Sequence, residues 1–131
     1  MHNMQLAHLK SILLVDADDA SRVATKWFLD SFGFEVHTAR NGEEALAVFD
    51  HHIHDVIITD NMLPGMTGQE LAHIIKLRSP LTPVIMYTEE SPGDCNCLDK
   101  LIMKPTHLMF LQAAAEDLIA SRPHFGFNGG Q

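Results

Sequence analysis

Cysteine is nearly absent from this 131-residue chain, with only Cys95 and Cys97, one position apart. Bridging such close neighbours makes a strained ring, so no disulfide framework is expected and both read as free thiols. Long hydrophobic runs are also missing. The longest aliphatic stretches, such as Ile12 to Val15, fall far short of the roughly 18 apolar residues of a membrane span. Met1 to Lys10 lacks the continuous apolar core of a secretory signal, and a cytoplasmic location is the expectation. Basic residues are few: 9 Lys and Arg face 17 Asp and Glu, for a net charge of −8. A field of that sign repels phosphate backbones and anionic lipids, which argues against nucleic-acid and membrane partners.

What is present suffices for a core. Hydrophobic residues make up 46% of the chain, and a domain near this length buries about two-thirds of its unfolded surface without staples. Ser11 to Val15 is a short aliphatic run and reads as a buried strand. From Ala20 to Phe32 apolar residues recur at helical spacing, and Gly33 stops the helix. On that spacing Trp27, Phe28, Phe32 and, further on, Phe49 are assigned to the core. Glu35 to Ala39 is a second strand, and Asn41 with Glu44 opens a helix to about Phe49. Val56 to Thr59 is a third strand, Thr67 with Glu70 caps a helix to about Leu77, and Val84 to Tyr87 is a fourth strand. Leu101 to Met103 is a fifth, followed by an amphipathic helix from Leu108 to Ile119.

Strands alternating with helices imply a parallel sheet covered on both faces, a doubly wound α/β fold. One unit breaks the rhythm. Glu89 to Lys100 contains Ser91, Pro92 and Gly93 with little helical periodicity, so the fourth helix is expected to be shortened or missing. Residues 1–121 read as one domain and 122–131, rich in Gly and Pro, as a flexible tail.

In such a sheet the ligand site lies beyond the C-terminal strand ends. Those ends deliver Asp16, Ala17, Asp18 and Asp19; then Asp60; then Thr88; then Lys104 and Pro105. Carboxylates converging on one edge are reconciled by a hard divalent cation with oxygen ligands, which suits Mg²⁺. A metal beside an ammonium suits phosphate, and an Asp there can act as nucleophile toward a phosphoryl group.

These residues resemble the receiver domain of bacterial two-component response regulators. The likeness runs from about Lys10 to Ala120. It is carried by Ile12-Leu-Leu-Val-Asp16, by the segment from Asp55 through Asp60 to Gly68, by Pro83 to Thr88, and by Met103-Lys104-Pro105. The resemblance implies a flavodoxin-like five-stranded parallel sheet in the order 2-1-3-4-5 and a cis Lys104-Pro105 bond. It further implies that Asp60 accepts a phosphoryl group, with Thr88 as the switch hydroxyl and Lys104 as the phosphate-contacting lysine. Mg²⁺ would be held by Asp16, Asp60 and the Met62 carbonyl, with Asp18 as a further candidate. The implied partners are a sensor histidine kinase or histidine phosphotransfer protein and an unknown downstream protein. The chain would be a stand-alone signalling phosphoacceptor and not an enzyme acting on other substrates.

Three departures qualify that reading. Ala17 stands where a second acid is usual, predicting weaker Mg²⁺ binding. Leu101 replaces the usual aromatic, and Glu89 to Lys100 is short. The alternative is a degenerate receiver that docks partners without phosphorylation. A flavodoxin-like enzyme would need a phosphate-cradling Ser/Thr/Gly loop after the first strand, and Asp16-Ala-Asp-Asp19 is its electrostatic opposite. His51, His52 and His54 invite a zinc reading, but their spacing is not that of a structural zinc site.

Overall fold

The computed structural model describes residues 9–94 and 96–122; Cys95 and the expected tail beyond Arg122 lie outside them. The chain runs β1 (Ser11–Val15), α1 (Asp19–Ser31), β2 (Glu35–Ala39), α2 (Gly42–His51), β3 (Val56–Thr59), α3 (Gly68–Arg78), β4 (Val84–Thr88), β5 (Lys100–Met103) and α4 (Leu108–Ala120). All pairings are parallel and the sheet order is β2-β1-β3-β4-β5.

Alternation along the strands divides the core into two layers. Ile12, Leu14, Ile58, Ile85, Tyr87 and Ile102 face Leu29 of α1 and Leu111 of α4. Leu13, Val15, Ile57 and Val84 face Ala45 of α2 and Leu71 and Ile75 of α3. Both faces of β1 and β3 are therefore covered, which is why those strands read as continuous aliphatic runs. The helix starts follow their sequence signals. Asn41 Oδ1 accepts the Glu44 N–H at 2.8 Å, and Thr67 and Glu70 form a reciprocal capping box.

Between β4 and β5 the described residues contain no helix. Leu101 and Met103 alternate toward the side that a fourth helix would cover, and both are exposed, while Ile102 faces α4 and is buried. Cys97 and Leu98 of the connecting loop pack against the α2/α3 layer. Cys97 is disulfide-bonded, which corrects the free-thiol expectation. That expectation weighed only the strain of a ring between near neighbours. Arg122, placed at the start of the tail, reaches back to Asp55 at 3.4 Å.

The aromatic assignment needs correction in part. Phe28 and Phe49 pack against the two core layers, but Trp27 is 73% and Phe32 49% exposed. The inward stripe of α1 runs through Thr25 and Leu29, so Trp27 and Val23, four residues apart, form a second apolar stripe facing solvent. With Leu108 they line a shallow hollow between α1 and the start of α4.

The histidines form a different group from the one their sequence proximity suggests. His51 turns its Nδ1 to the Ala47 carbonyl of its own helix at 2.8 Å. His54, 3% exposed, instead meets His37 of β2, with Nε2 2.9 Å from His37 Nδ1. The His52 ring lies 4.3 Å from that of His37. Among the described residues no group of three His, Cys, Asp or Glu is arranged to hold a metal ion. Burial, reinforced by His37 and His52 and opposed by Asp55, lowers the His54 pKa from 6.5 to about 4.

A histidine whose folded pKa lies below its unfolded value binds more protons when unfolded, so stability rises with pH through that window. Stability should be full above about pH 6.5 and should fall by roughly 3 kcal/mol as pH drops toward 4. Urea unfolding between pH 4 and 7.5 measures this, and His54→Phe should flatten the slope across that range. An unchanged slope in the variant would assign the acid sensitivity elsewhere.

Candidate functional site at the strand ends

Three backbone hydrogen bonds extend the sheet by one step and fix the site. Asp16 N–H donates to Ala39 O at 3.0 Å, Asp60 N–H to Val15 O at 2.9 Å, and Lys104 N–H to Thr88 O at 2.8 Å. Each chemical group thus stands on the last rung of a parallel ladder. The loop after Asp60 is closed by the Asn61 carbonyl, which accepts N–H bonds from Leu63 and Gly68 at 3.0 Å. Gly68 is required there, since a Cβ at that position would run into the Asp60 carbonyl.

The sequence-predicted residues converge. Lys104 Nζ donates to Asp16 Oδ2 at 3.0 Å and to Asp60 Oδ2 at 3.1 Å. Thr88 Oγ1 donates to Asp60 Oδ1 at 2.9 Å, and the Met62 N–H donates to the same oxygen at 3.0 Å. The side chains of Asp16, Asp60 and Lys104 are only 4%, 12% and 12% exposed. Burial alone pushes the Lys104 ammonium down, but hydrogen bonds to Asp16 and Asp60 carry its pKa above the ordinary lysine range. The Tyr87 ring lies 4.8 Å beneath that ammonium. It belongs to the α1/α4 layer, as strand alternation requires for the neighbour of Thr88. Burial, with Asp16 and Asp60 adding and Lys104 opposing, raises the Tyr87 pKa.

Asp18 is differently employed. Its Oδ2 accepts the Ser21 N–H at 2.8 Å as the N-cap of α1. Asp19 forms an ion pair with Arg22. Ser21 is the residue that sequence reading missed: its hydroxyl donates to Asp16 Oδ2 at 2.7 Å and accepts from Lys104 Nζ at 3.2 Å. A Ser in the first turn of a helix that follows an acidic strand end was the available signal. Glu89, the next residue after Thr88, lines the same cleft of about 450 Å³ with Asp16, Asp60, Met62 and Lys104.

The donor set fits a hard divalent cation. Asp16 and Asp60 supply carboxylate oxygens at one edge, and the Met62 carbonyl receives no hydrogen bond among the described residues. Two buried carboxylates share one ammonium, which leaves a net negative charge for a cation to meet.

The family model described as "Response regulator receiver domain" matches residues 12–116. A cyclic di-GMP phosphodiesterase of Thermotoga maritima is 32% identical over 118 residues, covering 86% of this chain but only 32% of that protein. The chain thus spans about a third of that relative's length. Among solved structures, a CheY-like response regulator receiver domain protein from Methanospirillum hungatei superposes with a TM-score of 0.82 at 30% identity, covering 86% of this chain and 95% of that one. The response regulator TrrA of Thermotoga maritima, in complex with Mg²⁺ and BeF, gives 0.79 at 32% identity, covering 84% and 99%.

Removing the shared ammonium leaves two buried carboxylates facing one another. Without divalent cations at pH 7, Lys104→Met should lose about 3 kcal/mol of stability. Adding Asp60→Asn should recover part of that loss, read by urea unfolding as a double-mutant cycle. A loss below about 1 kcal/mol would reduce the Lys104 contacts to the level of a surface ion pair.

Proposed function

This chain belongs to the response regulator receiver domain family, and from that premise we propose that it accepts a phosphoryl group on Asp60 from a histidine kinase or histidine phosphotransfer protein. The observation that carries the reading is the convergence of Thr88 Oγ1, the Met62 N–H and Lys104 Nζ on the Asp60 carboxylate at 2.9 to 3.1 Å. An Asp60 oxygen forms the O–P bond while the donor's N–P bond breaks, and the leaving imidazole keeps the electron pair and takes up a proton. Charge on the phosphoryl oxygens is met by the Lys104 ammonium and the Thr88 hydroxyl, both already held at the site. Asp16, Asp60 and the Met62 carbonyl would hold Mg²⁺, which neutralises phosphoryl charge when bound. Asp18, which caps α1 through Oδ2 and lines the cleft, would be a further candidate ligand. Residues 1–121 would form the receiver unit and 122–131 a tail. Among the described residues no helix is long and apolar enough to cross a membrane.

The degenerate alternative draws on Ala17 and the helix-free segment after β4. Against it, Asp60, Thr88 and Lys104 are all present and mutually bonded. Intact-mass measurement after treatment with a small phosphodonor and Mg²⁺ decides between them. The wild type should gain one phosphoryl mass and Asp60→Asn none; labelling of the variant would sink the assignment.

Output is proposed to leave through the loop after β4. Thr88 Oγ1, besides holding Asp60, accepts from the Glu90 N–H at 3.4 Å, so a hydroxyl drawn toward a phosphoryl group pulls on the first turn of that loop. Hydrogen exchange with and without beryllofluoride should show protection changing across residues 91–94 and 96–99. Changes confined to α1 would place the output elsewhere.

A further inference from the structure

Helix α1 buries Thr25 and Leu29 against the sheet, while on its outer side Val23 is 64% and Trp27 73% exposed. Ala20 and Ala24, both exposed, complete a diamond with them: residues 20, 23, 24 and 27 are neighbours on one helix surface. Three of the four are small or short, so the diamond is a hole, and Trp27 at its lower corner is a knob of aromatic size. The hole opens into the hollow of about 690 Å³ that Phe28 and Leu108 also line. Along the other flank of the stripe run Asp19, Arg22, Lys26 and Asp30, in the order acid, base, base, acid. They pair among themselves, Arg22 with Asp19 at 2.6 Å and Lys26 with Asp30 at 2.7 Å. These are the only charged residues of α1, so on a chain of net charge −8 this helix carries none.

We propose that this face of α1 binds a second copy of the chain, the two helices packing antiparallel about a two-fold axis at the level of Thr25. In that register each Trp27 stands level with Val23 of the other copy and enters the hole between Ala20, Val23, Ala24 and Trp27, as a knob enters a four-residue hole in a coiled coil. A two-fold axis makes the contact twice, which a face carrying both knob and hole allows. The charged rows then run side by side in opposite directions, and each Arg22 comes within about a turn of the partner's Asp30. A second copy is favoured over a strongly acidic or basic helix, because either of those would set like charge against two of the four residues in the row. None of these side chains bonds Asp60, so the inference stands apart from the phosphoryl-transfer reading.

Sedimentation equilibrium of the full chain, with tryptophan emission read on the same samples, tests this. Trp27 is the chain's single tryptophan, so the emission reports on this face alone. The mass should rise from monomer toward dimer between micromolar and millimolar concentration, and the emission should move to the blue with the same midpoint. Trp27→Lys removes the knob and Ala24→Arg fills the hole; each should weaken association at least about tenfold. Ala24→Ser, which leaves the hole open, should keep it within about twofold. Both disruptive substitutions are at exposed positions, and should either variant fail to fold, the other decides. A chain still monomeric at about 1 mM overturns the proposal, as does a dimer that survives Trp27→Lys or Ala24→Arg. Blue-shifted emission in a monomer at every concentration assigns the face to another segment of the same chain, and a shift seen only on adding a histidine phosphotransfer protein assigns it to that partner; both results overturn the second copy.

Discussion

One ammonium holds the functional edge of this molecule together. Lys104 Nζ lies within 3.2 Å of Asp16, Asp60 and Ser21, and it is the only cation paired with those two buried carboxylates among the described ion pairs. Two carboxylates at so little exposure would otherwise repel each other in a medium of low polarisability. The arrangement ties β1, β3, β5 and the first turn of α1 into one electrostatic unit. It also explains why the site is built on a sheet edge: the three extended ladder bonds fix Asp16, Asp60 and Lys104 without relying on flexible loops.

That economy has a consequence for charge. Because Lys104 serves both acids, any negative group brought to Asp60 competes with Asp16 for the same ammonium, and a divalent cation relieves the competition. A receiver with two acids after its first strand has a fixed surplus of negative charge for that cation. Here the surplus at the strand end is smaller, and the balance depends on what the neighbouring loops contribute. The cleft therefore links the end of β4 to the end of β3 through the Thr88 hydroxyl, and the end of β3 to the end of β1 through Lys104.

Much of this architecture is legible in the sequence. Ile12 to Val15 and Val56 to Thr59 are bare aliphatic runs because both their faces are covered, and Asn41, Thr67 and Gly33 mark helix ends by local chemistry alone. Asp60, Thr88 and Lys104 were legible for the same reason: they follow strands directly, so sheet topology alone brings them to one edge. What was hidden depends on rotation and on contacts distant in sequence. Trp27 and Phe32 share the helical spacing of core residues, yet a turn of α1 by one position sends them to solvent, and spacing does not fix that angle. His37 pairs with His54 across seventeen positions of sequence, whereas the neighbouring His51 turns back on its own helix. Ser21 carries no motif, and its role exists only because the first turn of α1 stands over Asp16.

Between β4 and β5 the described residues form no helix. A helix in that position would cover Leu101 and Met103 and would fix the backbone leaving Thr88. In its absence both side chains are exposed, and the segment is tethered to the rest of the fold by few contacts: the Gln69 amide to the Asp94 carbonyl at 3.3 Å, the packing of Cys97 and Leu98, and Asp99, which bonds the Val84 N–H and Lys76 at 2.7 Å. The last of these pins the far end of the loop. A displacement of the Thr88 hydroxyl therefore acts on the start of this loop, through the Glu90 N–H that it accepts at 3.4 Å. On the proposed reading, charge at Asp60 and the conformation of this loop are coupled at Thr88, whose hydroxyl donates to Asp60 and accepts the Glu90 N–H, without need of an aromatic relay at Leu101.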